Sequence, residues 1–176
     1  GEAFHSGYPE HGKSAVDAFV AFYNTLKATD FGTDPILGET TWNIGMLRSD
    51  NPQNILSPEV SCKLYFRTTF VSHKAVQDWM GIPGQGDTPS HYLTLPGFES
   101  APVAFGSDAP HLTNFEHKAI CGPGSILCAH RPDEHITLKA LEDACDLYVR
   151  LFEALTLSTG APASARVQML NNDKSN

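Results

Sequence analysis

The chain has 176 residues, enough for one ordinary domain or two small ones around a real hydrophobic core. Its net charge of -8, from 12 Lys and Arg against 20 Asp and Glu, and its isoelectric point near 5.4 argue against a nucleic-acid partner. With 41% hydrophobic and 18% charged residues the composition is globular. No apolar run approaches the roughly 18 residues of a membrane span, so no membrane partner is expected.

Four cysteines, Cys62, Cys121, Cys128 and Cys145, form no CxxC pair. Cys62 and Cys145 fall on apolar faces of predicted elements. Reduced, partly buried thiols are expected, in place of a disulfide framework or a zinc ribbon. Neither an initiator methionine nor a signal-like segment stands at Gly1, and the first residues read as the middle of something longer.

Residues 1–12 read as the end of a strand running into a turn. A helix is expected over about 13–28, with Val16, Phe19, Val20, Tyr23 and Leu26 as its buried face. Gly32 and Pro35 open the loop that follows. Residues 40–49 alternate, with Trp42, Ile44 and Met46 on one face. Residues 59–69 alternate more cleanly, with Val60, Cys62, Leu64 and Phe66 opposite Ser61, Lys63, Tyr65 and Arg67. The turn at 50–54 makes these two strands antiparallel neighbours, and Ser72 can cap a short helix reaching Met80. The order strand, helix, strand, strand, helix predicts a split-βαβ antiparallel sheet with both helices on one face.

Residues 81–100 are rich in Gly and Pro and suit a junction. Residues 102–106 and 119–122 read as two short buried strands, each ending in glycine. A helix over 137–157, capped by Thr137, is expected to bury Leu138, Leu141, Cys145, Tyr148, Phe152 and Leu155. The Ala/Ser/Asn-rich tail reads as disordered.

Individual polar residues admit two readings each. Arg67, on the polar face of a strand, could clamp a carboxylate bidentately or be a solvated edge arginine. Ser107 and Asp108 follow a strand-ending glycine and could offer N–H groups to an anion, or form an ordinary turn or helix cap. His5 and Asn54 would individually be surface residues. His130, in Ala129-His130-Arg131-Pro132-Asp133-Glu134, suits a metal ligand with carboxylates nearby, or a loop histidine hydrogen-bonded to Asp133 or Glu134.

The series Phe4-His5-Ser6-Gly7-Tyr8-Pro9-Glu10, Asn43-Ile44-Gly45, Asn54-Ile55-Leu56, Phe66-Arg67, Phe105-Gly106-Ser107-Asp108, Gly122-Pro123-Gly124 and Ala129-His130 closely resembles one family. It is the zinc-dependent metallopeptidase and deacylase family of acetylornithine deacetylase, succinyl-diaminopimelate desuccinylase, aminoacylase and carnosinase. Residues 1–80 and 101–157 carry the resemblance, and Gly-Tyr-Pro after His-Ser is most similar to the acetylornithine-deacetylase branch.

The resemblance implies an α+β lid or dimerisation domain over 1–85, with a four-stranded sheet and two helices. A junction at 86–100 then leads to the C-terminal part of an α/β catalytic domain over 101–157, and the tail occupies 158–176. It implies a homodimer acting on N-acyl amino acids or small peptides, with two zinc ions, or cobalt or manganese in their place. His5 would hold the oxyanion, often in the partner subunit's active site. Asn54 would orient substrate or oxyanion, Arg67 would bind a substrate carboxylate, and Ser107 and Asp108 would line its pocket. His130 would be the C-terminal metal ligand.

The family's His-x-Asp motif, its separate Asp and its Glu-Glu pair have no counterpart here, and Ser57 stands where the family usually has proline. One histidine cannot make a two-zinc site. The chain is therefore expected to be part of a longer hydrolase and inactive by itself, the rival being a non-catalytic dimerisation or small-molecule-binding module. Residues 95–157 are expected to pack poorly alone, or to sit against another chain that supplies the missing sheet.

Overall fold

A computed structural model describes residues 1–81 and 86–156; the expected tail at 158–176 lies outside the described residues. The elements in order are α1 (Ala15–Ala28), β1 (Thr33–Asp34), β2 (Gly38–Glu39), β3 (Thr41–Arg48), β4 (Ser61–Arg67), α2 (His73–Met80) and α3 (Leu138–Thr156). The backbone divides into two compact units, Gly1–Ala119 and Ile120–Asn176. The 86–100 stretch lies inside the first.

In the first unit Ser14 starts α1, its hydroxyl accepting the Asp17 N–H at 3.1 Å. Asp17 in the first turn and Lys27 in the last both complement the helix dipole. The inward stripe runs Ala15, Phe19, Phe22, Leu26, with Leu26 fully buried, while Val16 and Val20 are exposed. Of the expected face Phe19, Tyr23 and Leu26 are covered, whereas Val16 and Val20 are exposed and Ala15 and Phe22 are covered in their place. The Phe22 ring meets Trp79 of α2 at 5.6 Å, and Tyr23 meets Trp42 of β3 at 5.9 Å.

β3 and β4 pair antiparallel, with Trp42 opposite Phe66 and Ile44 opposite Leu64. Phe31, in the loop after α1, touches both Trp79 and Phe66 edge-on. α1 thus meets β3 directly through Tyr23 and Trp42, while Trp79 of α2 is linked to Phe66 of β4 by way of Phe31. The alternation of β4 holds: Cys62, Leu64 and Phe66 are half-buried, and Ser61, Lys63 and Tyr65 are exposed. That of β3 fails after Gly45. The register shifts between Gly45 and Arg48, Met46 takes φ of 52°, and its side chain is 70% exposed. A bulge adds a residue and reverses the side-chain parity, so Met46 leaves the apolar face.

β1 and β2 form a separate two-residue ladder, so the described residues hold two two-stranded sheets where one four-stranded sheet is expected. The ladder turns around Asp34, which is 4% exposed. Its carboxylate accepts the N–H groups of Leu37 at 3.0 Å and Ile36 at 2.9 Å. Those bonds, aided by the amides of Val71 and Phe70, hold its carboxyl below the ordinary value of 3.8 against the opposing effect of burial. A lowered folded-state value adds stability above pH 3.8 that is lost as the pH falls through the folded value. Asp34→Asn is expected to melt below wild type at neutral pH, with the two curves converging in acid. Circular-dichroism melts across pH check this, and a gap that does not narrow would refute it.

Ser72 precedes α2 and is fully buried, but it does not cap the helix through its side chain. Its hydroxyl accepts the Thr69 N–H at 2.9 Å and receives the Thr40 hydroxyl, tying the start of β3 to the turn after β4. Ser57, at the position expected to favour proline, is also buried. Its hydroxyl reaches Ser49 Oγ at 2.6 Å and the Glu59 carbonyl at 2.8 Å, bonds that proline has no group to make.

The two expected strands at 102–106 and 119–122 are not strands, and Val103 and Ile120 are exposed. Among the described residues neither has a strand to pair with, and an unpaired four- or five-residue run gains no ladder. α3 forms as expected, the Thr137 hydroxyl accepting the Ala140 N–H at 3.1 Å. Its burial is the reverse of the expectation. Ala140, Ala144, Leu147, Leu151 and Ala154 form the covered stripe, whereas Leu138 is 79% and Phe152 63% exposed. Cys145 and Cys121 are exposed too, and all four thiols are free. No helix among the described residues is long and apolar enough to cross a membrane.

Candidate functional site

The segments that carry two of the expected site residues meet through their backbones. His5 bridges Ile55, the Ser6 N–H donates to the Asn54 carbonyl at 2.9 Å, and the Leu56 N–H donates to the Phe4 carbonyl at 2.8 Å. This short antiparallel contact pairs His5 with Ile55 and Ser6 with Asn54, so His5 and Asn54 lie one residue out of register, both exposed. The imidazole bends back on its own turn: its Nδ1 accepts the Gly7 N–H at 3.0 Å, and the Tyr8 ring stands 5.8 Å away.

A second group forms around Arg67 at the end of β4. Tyr65 precedes it by two residues, hence on the same side of the strand. The guanidinium carbon lies over the Tyr65 ring, 4.9 Å from its centre, within cation–π range. On another side is Gly106, where an added Cβ would stand 3.9 Å from Arg67 Nη1. Ser107 follows, its hydroxyl 3.4 Å from the Tyr92 hydroxyl and 3.3 Å from the Ala109 N–H. Asp108 is exposed and opens the short turn at Ala109–His111. Sequence alone brings Arg67 and the 106–108 segment into one site only through resemblance; the structure makes them neighbours.

Tyr65, Tyr92 and Gly7 are absent from the sequence-derived set. For Tyr65 a signal existed in its two-residue spacing from Arg67. Tyr92 sits in a stretch without periodicity, and its link to Ser107 is tertiary.

His130 belongs to the second unit, Ile120–Asn176. It adopts φ of 62°, a left-handed conformation that a side chain enters at a cost of about 1–2 kcal/mol. The loop is closed by its own acids. The His130 N–H donates to Glu134 Oε2 at 2.9 Å, and Asp133 pairs bidentately with Arg131 at 2.9 and 3.0 Å. The carboxylate of Glu134 therefore serves the backbone of His130 and not its ring. Among the described residues no three His, Cys, Asp or Glu side chains converge as a metal site. Two zinc ions do not fit the groups present, since His130 brings one imidazole.

The arrangement is an antiparallel pair linked to two helices by aromatic contacts, with a histidine turn, an arginine on an aromatic shelf and a serine-bearing loop. Residues 1–81 match the M20-type peptidase dimerisation domain. The chain is 29% identical to a peptidase M20 domain-containing protein of Schizosaccharomyces pombe, over 86% of this chain and 40% of that protein. It is 30% identical to a probable carboxypeptidase of Talaromyces marneffei, over 88% and 42%. With a probable carboxypeptidase of Aspergillus flavus the identity is 31%, over 88% and 45%. The chain thus spans less than half the length of these curated relatives. No solved structure matches it.

Proposed function

We propose that this chain contributes the dimerisation domain and the C-terminal catalytic segment of an M20-type hydrolase. Its substrates are N-acyl amino acids or small peptides bearing a free carboxylate, and it works as a homodimer with zinc. The domains are the lid at 1–85, the junction at 86–100 and the catalytic segment at 101–157. The observation that carries the reading is the Arg67 cluster: a guanidinium held on Tyr65 beside the Gly106–Ser107 backbone, inside a chain whose first 81 residues match the dimerisation domain. A planar fork with open N–H groups is the usual partner of a carboxylate.

In this reading Arg67 fixes the substrate carboxylate, with Ser107 and Asp108 lining its pocket. His5 and Asn54 donate to the oxygen on which negative charge develops. His130 supplies one ligand to the metal, and the remaining ligands and the general base come from the length of the relatives that this chain does not span. The exposed large apolar side chains of α3 suit a helix that packs against further sheet.

The test is amino-acid release from N-acetyl amino acids and dipeptides, by a protein that joins this chain to that remaining length. Arg67→Ala is expected to raise KM about tenfold to hundredfold for substrates with a free carboxylate, the worth of a charged hydrogen-bonded contact of about 1.5–3 kcal/mol. Carboxamide analogues should be unaffected. Equal effects on both, or none, would refute the carboxylate role. The match of residues 1–81 to a dimerisation domain also favours a second reading, a non-catalytic dimerisation module, which a dimer without hydrolysis in the same assay would support.

A further inference from the structure

The Gly7 amide points at the imidazole of His5, two residues earlier. Its N–H lies 3.0 Å from His5 Nδ1. A backbone N–H can only donate, so Nδ1 must present its lone pair, and the neutral ring carries its proton on Nε2. The space at residue 7 adds an independent constraint. A Cβ there would stand 3.2 Å from Nδ1 and 3.3 Å from Cε1 of the same ring, tighter than ordinary van der Waals contact. Any side chain at 7 would press on the imidazole that its own amide is holding.

The main chain on which this happens is itself fixed. Hydrogen bonds flank His5 on both sides, from Leu56 to Phe4 and from Ser6 to Asn54, and the Tyr8 N–H donates to the His5 carbonyl at 2.9 Å. The imidazole has lost one free torsional choice and one tautomer, and what remains outward is an Nε2–H donor on an exposed edge.

We infer that Gly7 is a positioning residue for His5: its amide selects the Nε2–H tautomer, and its missing side chain permits the contact. The inference rests on the proposed role of His5 as an oxyanion donor, because only a donor role gives that tautomer a use. With the proton on Nδ1 the exposed nitrogen would be an acceptor, which repels a developing oxyanion. Gly7 would then act before any substrate arrives, by removing the cost of reorienting the donor.

Nitrogen-15 NMR on the 176-residue chain, at a pH where the ring is neutral, tests this. The expected result is His5 as the Nε2–H tautomer, with a through-hydrogen-bond coupling between the Gly7 amide nitrogen and His5 Nδ1. Gly7→Ala should abolish that coupling and give a mixture of tautomers, while Ser6→Ala should leave both as in wild type. A predominant Nδ1–H tautomer in wild type, or an unchanged tautomer in Gly7→Ala, overturns the inference. The wild-type coupling needs no variant, so it decides the question even if Gly7→Ala does not fold. In the joined hydrolase Gly7→Ala should lower kcat with KM unchanged. If instead the tautomer behaves as stated but His5→Ala leaves kcat intact, the catalytic reading fails and the positioning stands.

Discussion

Leu26→Ala is expected to destabilise the first unit by about 2–5 kcal/mol, the range for truncating a fully buried leucine. Leu26 has no exposed surface and is the largest wholly buried apolar side chain among the described residues. It shares α1 with Phe22 and Tyr23, whose rings meet Trp79 and Trp42, the only two tryptophans in the chain. Denaturation followed by tryptophan fluorescence therefore reports on the cluster that the cavity would loosen. Val20→Ala, on the exposed side of the same helix, serves as the control and should cost under about 1 kcal/mol. A Leu26 variant as stable as the valine variant would show that this helix is not anchored where the structure puts it.

His5→Ala carries the largest expected effect on chemistry. Removing one preorganised donor to a developing oxyanion typically lowers kcat by about 10²–10³. In the joined hydrolase the loss should fall on kcat with KM little changed, because the bond is made in the transition state and not to the bound substrate. In the proposed reading Asn54→Ala should act in the same direction, Asn54 being the chain neighbour of Ile55, which pairs with His5. The effects should then be less than additive, as expected of neighbours acting on one atom. A His5→Ala enzyme with wild-type kcat would remove the oxyanion role and leave residues 4–8 as a structural turn. Steady-state kinetics on an N-acetyl amino acid decides between them.

What could be read ahead of the structure depended on whether a signal was local. The capping hydroxyl of Thr137, the alternation in β4 and the turn that makes β3 and β4 antiparallel all lie within a few residues of what they control, and each is found in place, whereas Ser72, also expected as a cap, does not cap α2 through its side chain. The inward faces were harder. Which stripe of α1 turns in depends on whether Phe22 or Val20 finds an aromatic neighbour, and that neighbour, Trp79, lies far along the chain. In α3 the leucines that mark an amphipathic pattern are exposed while an alanine-bearing stripe is covered, so periodicity identified the helix without saying which side is buried. The runs at 102–106 and 119–122 have strand-like composition, but composition supplies no partner to pair with.

The candidate site divides in the same way. Residue types and their order pointed to His5, Asn54, Arg67, Ser107, Asp108 and His130 through a family resemblance, and residues 1–81 are similar to a peptidase dimerisation domain. The roles of those six residues stay proposals. Sequence by itself determined the helices, the β3–β4 pair and which side chains could do chemistry, because backbone hydrogen bonding, capping and pleat are set over short distances. Tertiary structure alone decided that Arg67 lies beside Gly106 and that Ser57 and Ser72 are buried hydroxyl ties, and local turn geometry decided that the Gly7 amide holds His5. Each of these contacts depends on angstrom-scale approach between groups, set by packing and turn geometry that residue type does not encode.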